Sequence, residues 1–184
     1  MMKHIIYITF SFIALTISCK NQQPDDSRAT TQESKKTHPA DLGGLYQYYH
    51  STPKTLDQRE ENTIIEYLAD KNLDAERTKS GVYIHTIEKG DGDPVKWGDP
   101  ISVDYRGKFL NGKEFDSSYS RNAPIKFRVG TMNAGWNEAL PYLHRGTKAI
   151  LYLPSHMGYG KKGFPGYVGS DEILIFEVDI LKNQ

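Results

Sequence analysis

The stretch Ile101-Ser102-Val103-Asp104-Tyr105, running on through Leu110-Asn111-Gly112-Lys113 to Phe115-Asp116-Ser117-Ser118, decides the fold. Ile101, Val103 and Tyr105 alternate with polar residues, the period of a strand with one covered face. Asn111-Gly112 then signals a hairpin turn, because both residues adopt positive φ cheaply. The same period of two recurs outward from this hairpin. It appears upstream in Val82 to Ile87. Downstream it appears in Ile125-Phe127-Val129, Ala149-Leu151-Leu153 and Leu174-Phe176-Val178-Ile180. Only Gly135 to Leu143 breaks the alternation, placing Trp136, Leu140 and Leu143 on one helical side before Pro141 cuts the helix short. The pattern predicts an α+β domain: an antiparallel sheet half-wrapped around one short helix. Inward strand faces, helix and aromatic rings are expected to form one core over about a hundred residues.

The large rings of this half sit beside turn residues. They are Tyr105, Phe115-Asp116, Gly135-Trp136, Gly158-Tyr159-Gly160, Phe164-Pro165-Gly166 and Phe176. Rings held at turns line a concave apolar pocket. Each residue also has a plainer reading. Trp136 alone reads as core, Tyr159 as a packed turn residue, and Asp116 as a carboxylate serving the Ser117-Ser118 turn or pairing with Arg121. The stretch contains no Cys, and the six His residues (4, 38, 50, 85, 144, 156) show no ligand spacing, so neither a metal nor a cofactor is expected. Asp91, Asp93 and Asp99 share a Gly-rich loop, which reads as a solvated turn rather than a calcium site.

Lys plus Arg and Asp plus Glu both number 23, so nothing electrostatic favours a nucleic-acid partner. The N-terminus is a basic start, an apolar run from Ile5 to Ile17, then Ser18-Cys19 and polar sequence. That is a secretory-signal layout, and the run is short of the roughly 20 residues of a membrane span. Leu15-Thr16-Ile17-Ser18-Cys19 resembles the lipobox of bacterial lipoproteins, with Leu one place further from the Cys than usual. The resemblance implies lipidation of Cys19 and a membrane held through an acyl anchor, at the bacterial envelope facing periplasm or exterior. The alternative is an ordinary signal peptide. Asn21 to Asp41 holds no large apolar residue and reads as a disordered tether. Leu42 to His50 reads either as a docking motif or as a segment packed on the domain through Tyr46, Tyr48 and Tyr49.

Thr55-Leu56-Asp57-Gln58 is a capping-box pattern. Ile64, Ile65 and Leu68 follow at helical spacing, with Asn72 placed to close the helix and Leu73 to fold back, so a helix is expected over Leu56 to Lys71. It reads as docked on its own domain rather than as a dimer seam. The expected organisation is therefore a signal peptide (1–18), a tether (19–41), a helical extension (42–80) and a folded domain (81–184).

Tyr105, Phe115-Asp116-Ser117-Ser118, Gly135-Trp136, Tyr159-Gly160 and Phe176 together resemble the FKBP-type peptidyl-prolyl cis–trans isomerases, in order and at nearly the family spacing over Gly81 to Lys182. The resemblance implies a proline pocket between sheet and helix, proline-containing polypeptides as substrates and macrolides as possible ligands. It casts Trp136 as pocket floor and Tyr105, Phe115 and Phe176 as walls. Asp116 becomes the carboxylate beside the pocket, Tyr159 the hydroxyl that bonds a ligand carbonyl, and Val168 an apolar edge residue. Arg121 matches a basic partner of the local carboxylate.

The chain also departs from the family. The loop Thr131-Met132-Asn133-Ala134-Gly135 is two residues shorter than in the best-known small members, leaving Met132 to supply its apolar contact. Ile125 replaces a common aromatic wall residue, Phe164 a frequent His, and Gly169-Ser170 a frequent Pro-Pro. These changes imply altered rim chemistry and sequence preference. They also leave a rival reading open, a non-catalytic peptide-binding or chaperone-like module, or an assembly factor, with the same fold.

Overall fold

The computed structural model describes residues 39–182. The expected signal peptide, Cys19 and most of the tether lie outside them. Among the described residues no helix is long and apolar enough to cross a membrane. Seven antiparallel strands form one open sheet. They are β1 (Glu76–Arg77), β2 (Tyr83–Glu88), β3 (Pro100–Phe109), β4 (Glu114–Ser117), β5 (Ile125–Arg128), β6 (Lys148–Leu153) and β7 (Leu174–Ile180). The order is β1-β2-β6-β7-β3-β4, and β5 also pairs with β3. The first half of β3 pairs with β5 (Ile101 opposite Phe127) and its second half with β4 (Gly107 opposite Asp116). That split edge brings Asp116 and Phe127 to the same flank of Tyr105.

The hairpin between β3 and β4 forms where the sequence places it. Gly112 takes φ 84°, but Asn111 does not take positive φ; its Oδ1 accepts from Lys113 N at 3.0 Å instead. The turn therefore needs one left-handed residue, not two.

The short helix α2 (Ala134–Ala139) runs into a 3-10 turn at Leu140–Tyr142 that contains Pro141. Trp136, Leu140 and Leu143 are buried against Ile101, Val103, Tyr105, Leu151, Leu153, Leu174, Phe176, Val178 and Ile180. The expected core is present, but it is not the only one. The strands also send Tyr83, Tyr152 and Ile175 to the opposite face. There they meet helix α1 (Leu56–Asp70) through Ile64, Ile65 and Leu68, all fully buried. Burying each of those three side chains is worth roughly 1.5–3 kcal/mol. Since a 15-residue helix is marginal alone, this docking is what holds it.

Both ends of α1 are closed as the sequence predicts. Gln58 N donates to Thr55 Oγ1 at 3.2 Å and Thr55 N to Gln58 Oε1 at 3.3 Å. At the other end Asn72 sits at φ 52° while Asn72 N reaches Ala69 O and Leu73 N reaches Leu68 O. The segment before α1 folds back on it: Tyr49 OH donates to Glu66 Oε1 at 2.8 Å, and the Tyr48 ring lies under the Arg77 guanidinium. Tyr46 does not join this packing and is exposed.

Candidate functional site

The site is built where alternate residues of β3 and β7 face α2. Trp136 stands at the first turn of α2, whose N-cap Asn133 accepts from Trp136 N at 3.0 Å. Gly135 lets that turn approach β6, since a Cβ there would lie 2.3 Å from Leu153 Cδ2. Around the indole, Tyr105, Phe127 and Phe176 present their rings edge-on, at centroid distances of 5.5, 5.7 and 5.4 Å. Such pairs add about 0.5–1.5 kcal/mol each beyond burial. Phe115 continues the wall, 5.7 Å from Phe176 and 5.1 Å from Phe109. Gly107 makes this approach possible, because a Cβ on it would stand 2.7 Å from the Phe115 ring.

Trp136 is only 1% exposed and Val168 is buried in the same cluster. Half-buried Phe115, Ile125, Phe127, Met132 and Tyr159 pack against that cluster. The indole is therefore covered by this rim. The Trp136 Nε1–H has no hydrogen-bond partner among the described residues. An orphaned buried donor costs about 1–3 kcal/mol, which offsets part of what burial of the indole contributes.

Asp116 makes both structural contacts that its position suggests. Its Oδ1 accepts from Ser117 N at 2.8 Å and from Arg121 Nη1. It also accepts the Tyr105 hydroxyl, to which Arg121 Nη2 donates at 2.8 Å. Burial pushes the Asp116 carboxyl upward, but the Tyr105 and Arg121 hydrogen bonds and the Arg121 charge outweigh it and hold the group below the usual carboxylate range. Burial and the bond to Asp116 push the Tyr105 hydroxyl up to about 12. So at neutral pH the wall carries an ionised carboxylate clamped by one arginine and one neutral phenol. Burial likewise raises the Tyr159 hydroxyl, with the nearby Asn133 side chain pulling the other way.

The rim differs from the sequence expectation in two places. The short loop is stapled to α2 by Asn137, a residue that sequence reasoning missed. Asn137 Oδ1 accepts from Gly130 N at 2.9 Å and Met132 N at 3.2 Å, while its Nδ2 donates to Met132 O at 2.6 Å. Met132 thus offers its side chain to the pocket, but its N–H is already used inside the protein. The available signal was an Asn, a poor interior helix former, one turn after the N-cap Asn133. Beyond the rim, Phe164 stacks between Tyr159 (5.2 Å) and Tyr167 (5.1 Å). Phe164 and Tyr167 remain 45% and 57% exposed, so the aromatic surface extends outward from the Tyr159 lip. Phe127, read from sequence only as a strand residue, is the other addition to the site.

Asp91, Asp93 and Asp99 do not converge. Asp91 pairs with Lys182 at 2.6 Å, and Asp99 accepts from Lys96 N at 2.9 Å.

Comparison with known proteins agrees with this geometry. A family model described as FKBP-type peptidyl-prolyl cis-trans isomerase matches residues 92–181. FK506-binding protein 1 of Candida glabrata is 38% identical over 111 residues, 59% of this chain and 97% of that protein. The isomerase FkpA of Escherichia coli K12 is 35% identical over 111 residues, 60% of this chain and 41% of that protein. The isomerase Mip of Coxiella burnetii is 35% identical over 114 residues, 61% of this chain and 50% of that protein. The match therefore spans half or less of these bacterial relatives. The crystal structure of Escherichia coli FkpA superimposes with a TM-score of 0.60 at 32% identity, covering 68% of this chain and 59% of that one.

Proposed function

Because the chain belongs to the FKBP-type peptidyl-prolyl cis–trans isomerases, we propose that it accelerates rotation about X–Pro bonds in folding polypeptides, using the Trp136 bowl. The observation that carries this reading is the ring of edge-on aromatics around a buried indole, with one clamped carboxylate on its wall.

Rotation about X–Pro is opposed by a barrier of about 18–20 kcal/mol, because twisting breaks amide resonance. No bond is made or broken, so the task is to favour the twisted amide over the planar one. The twisted amide is less polar, since nitrogen no longer feeds charge to oxygen. Trp136, Tyr105, Phe127 and Phe176 form surroundings that suit it better than water does. In this reading the Tyr159 hydroxyl, which burial keeps protonated, donates to the rotating carbonyl. Asp116, held ionised, fixes the Tyr105 ring through its hydroxyl and gives the wall a preorganised charge.

A protease-free isomerisation assay on a short proline peptide tests this. The parent is expected to act well above background and to be inhibited by FK506. Tyr159→Phe should lower kcat/KM between about two- and tenfold, the value of one hydrogen bond. Background-level activity in the parent would end the isomerase reading. It would leave the rival, a peptide-binding module without catalysis, which the internal use of the Met132 N–H favours.

We also propose that Ser18-Cys19 is a processing and lipidation site and that residues 19–41 tether the domain to an envelope membrane. The small residue before a lone Cys, at the end of an apolar run with a basic start, supports this. Metabolic labelling with a palmitate analogue should mark the parent but not Cys19→Ala. Label persisting in the variant would refute the anchor.

A further inference from the structure

Helix α1 and the turn after β6 bring two neighbouring acids together with a histidine that the sequence keeps far from them. Asp57 and Glu60 are one turn apart on α1 and share a face. His156 lies in the 3-10 turn Ser155–Met157. A carboxylate oxygen of each acid and a ring nitrogen of His156 all lie within 4.8 Å of one another. His156 Nδ1 stands 3.3 Å from Asp57 Oδ1.

The second observation comes from Glu60 itself. It is only 5% exposed, although Glu is almost never buried without a partner. Its Oε2 accepts from Ser155 N at 2.8 Å, in the same turn as His156. Its Oε1 is buried and has no hydrogen-bond partner among the described residues. A carboxylate oxygen left so is expensive, unless something positive meets it.

We propose that Asp57, Glu60 and His156 form a binding site for a divalent cation of the zinc type, with the imidazole Nδ1 and one oxygen of each acid as ligands. With bonds of about 2.0–2.1 Å, tetrahedral ligand atoms stand about 3.3 Å apart, which is the observed His156–Asp57 separation. Glu60 closes the remaining distance by side-chain torsion. Two carboxylates neutralise the dication, and the exposed side of the site leaves a water as fourth ligand. The ring nitrogen in the set suits zinc and counts against magnesium, which takes oxygen ligands and keeps several waters. The Ser155 N–H orients the Glu60 carboxylate from outside, as second-layer donors do at metal sites. A bound ion would tie α1 to the turn that leads into Gly158-Tyr159. It would act as a staple between the helical extension and the pocket-bearing half, whatever the pocket does.

The test is zinc titration of the full chain, with Cys19 alkylated so that its thiol does not compete. Calorimetry and thermal unfolding are read together. The parent is expected to bind one zinc with a rise in unfolding temperature, while magnesium gives neither. Asp57→Asn and His156→Ala change exposed side chains, so both should keep the parent's circular dichroism. Both should lose zinc affinity by about tenfold or more, and with it the thermal shift. Absence of zinc binding in the parent, equal affinity in both variants, or an equal response to magnesium would each overturn the site.

Discussion

Trp136→Ala is expected to reduce kcat/KM for a proline peptide by about two orders of magnitude or more and to destabilise the domain by about 3–5 kcal/mol. The two effects have one origin. The indole is the largest fully buried side chain and touches Tyr105, Phe127 and Phe176 at once. Deleting it opens a cavity that those rings cannot fill without leaving their β3, β5 and β7 backbones. It also admits water to the one place where a twisted amide would be dry. A hundredfold loss corresponds to about 2.7 kcal/mol of transition-state stabilisation, within what those contacts can supply. Trp136→Leu keeps more of the volume, so it separates the effects. Its denaturant midpoint should recover most of the lost stability, whereas its isomerisation rate should stay well below the parent's. Parent-like rates in a folded Trp136→Ala would show that the bowl does not do the chemistry.

Glu61→Ala is expected to cost about 3–5 kcal/mol at neutral pH while leaving kcat/KM of the folded protein unchanged. Glu61 sits on α1, away from the pocket. Its Oε1 accepts from Arg77 Nε at 2.6 Å and from the fully buried Tyr83 hydroxyl at 3.0 Å. Its Oε2 meets His50 Nε2 at 2.9 Å. One carboxylate therefore joins the N-terminal segment, α1, β1 and β2, and removing it strands a buried hydroxyl and a half-buried guanidinium. Burial pushes the Glu61 carboxyl up, but the Arg77 and His50 hydrogen bonds and the Arg77 charge outweigh it, and the group lies below its ordinary 4.5. A carboxyl that ionises more readily in the fold stabilises it fully above the unfolded value. That contribution is lost as the pH falls through the lower folded value. The parent should thus lose stability on acidification below about pH 4.5, and Glu61→Gln should flatten that part of the curve. Denaturant midpoints across pH 2–7 measure it. A destabilisation under about 1 kcal/mol would place the junction's strength in the Ile64-Ile65-Leu68 contacts instead.

Much of this architecture was legible before any coordinates. Alternation in Ile101-Val103-Tyr105 and in Leu174-Phe176-Val178-Ile180 marks strands because side chains on a strand repeat every two residues. The capping box at Thr55 and the Asn72 closure of α1 are equally local. Most rings of the site were legible too, Trp136 and Tyr159 beside their glycines and Tyr105 and Phe176 from the alternation of their strands. What remained hidden depends on partners distant in sequence. Tyr83, Tyr152 and Ile175 look like polar-face residues until α1 covers them. Asn137 looks like a surface helix residue until the shortened loop folds back onto its amide.

The sequence by itself determined the longer strands, the hairpin, both helices and every ring of the bowl but Phe127. Each of these follows from periodicity, from turn chemistry or from a neighbour a few residues away. Only the tertiary structure decided that the sheet is covered on both faces, so that two cores exist where the sequence implies one. It alone placed Phe127 beside Trp136, through the split pairing of β3. It alone set His156 against Asp57 and Glu60, across nearly a hundred residues of chain. Such meetings are fixed by how a folded sheet closes on its helices, and no local pattern encodes which distant side chain will face a buried carboxylate.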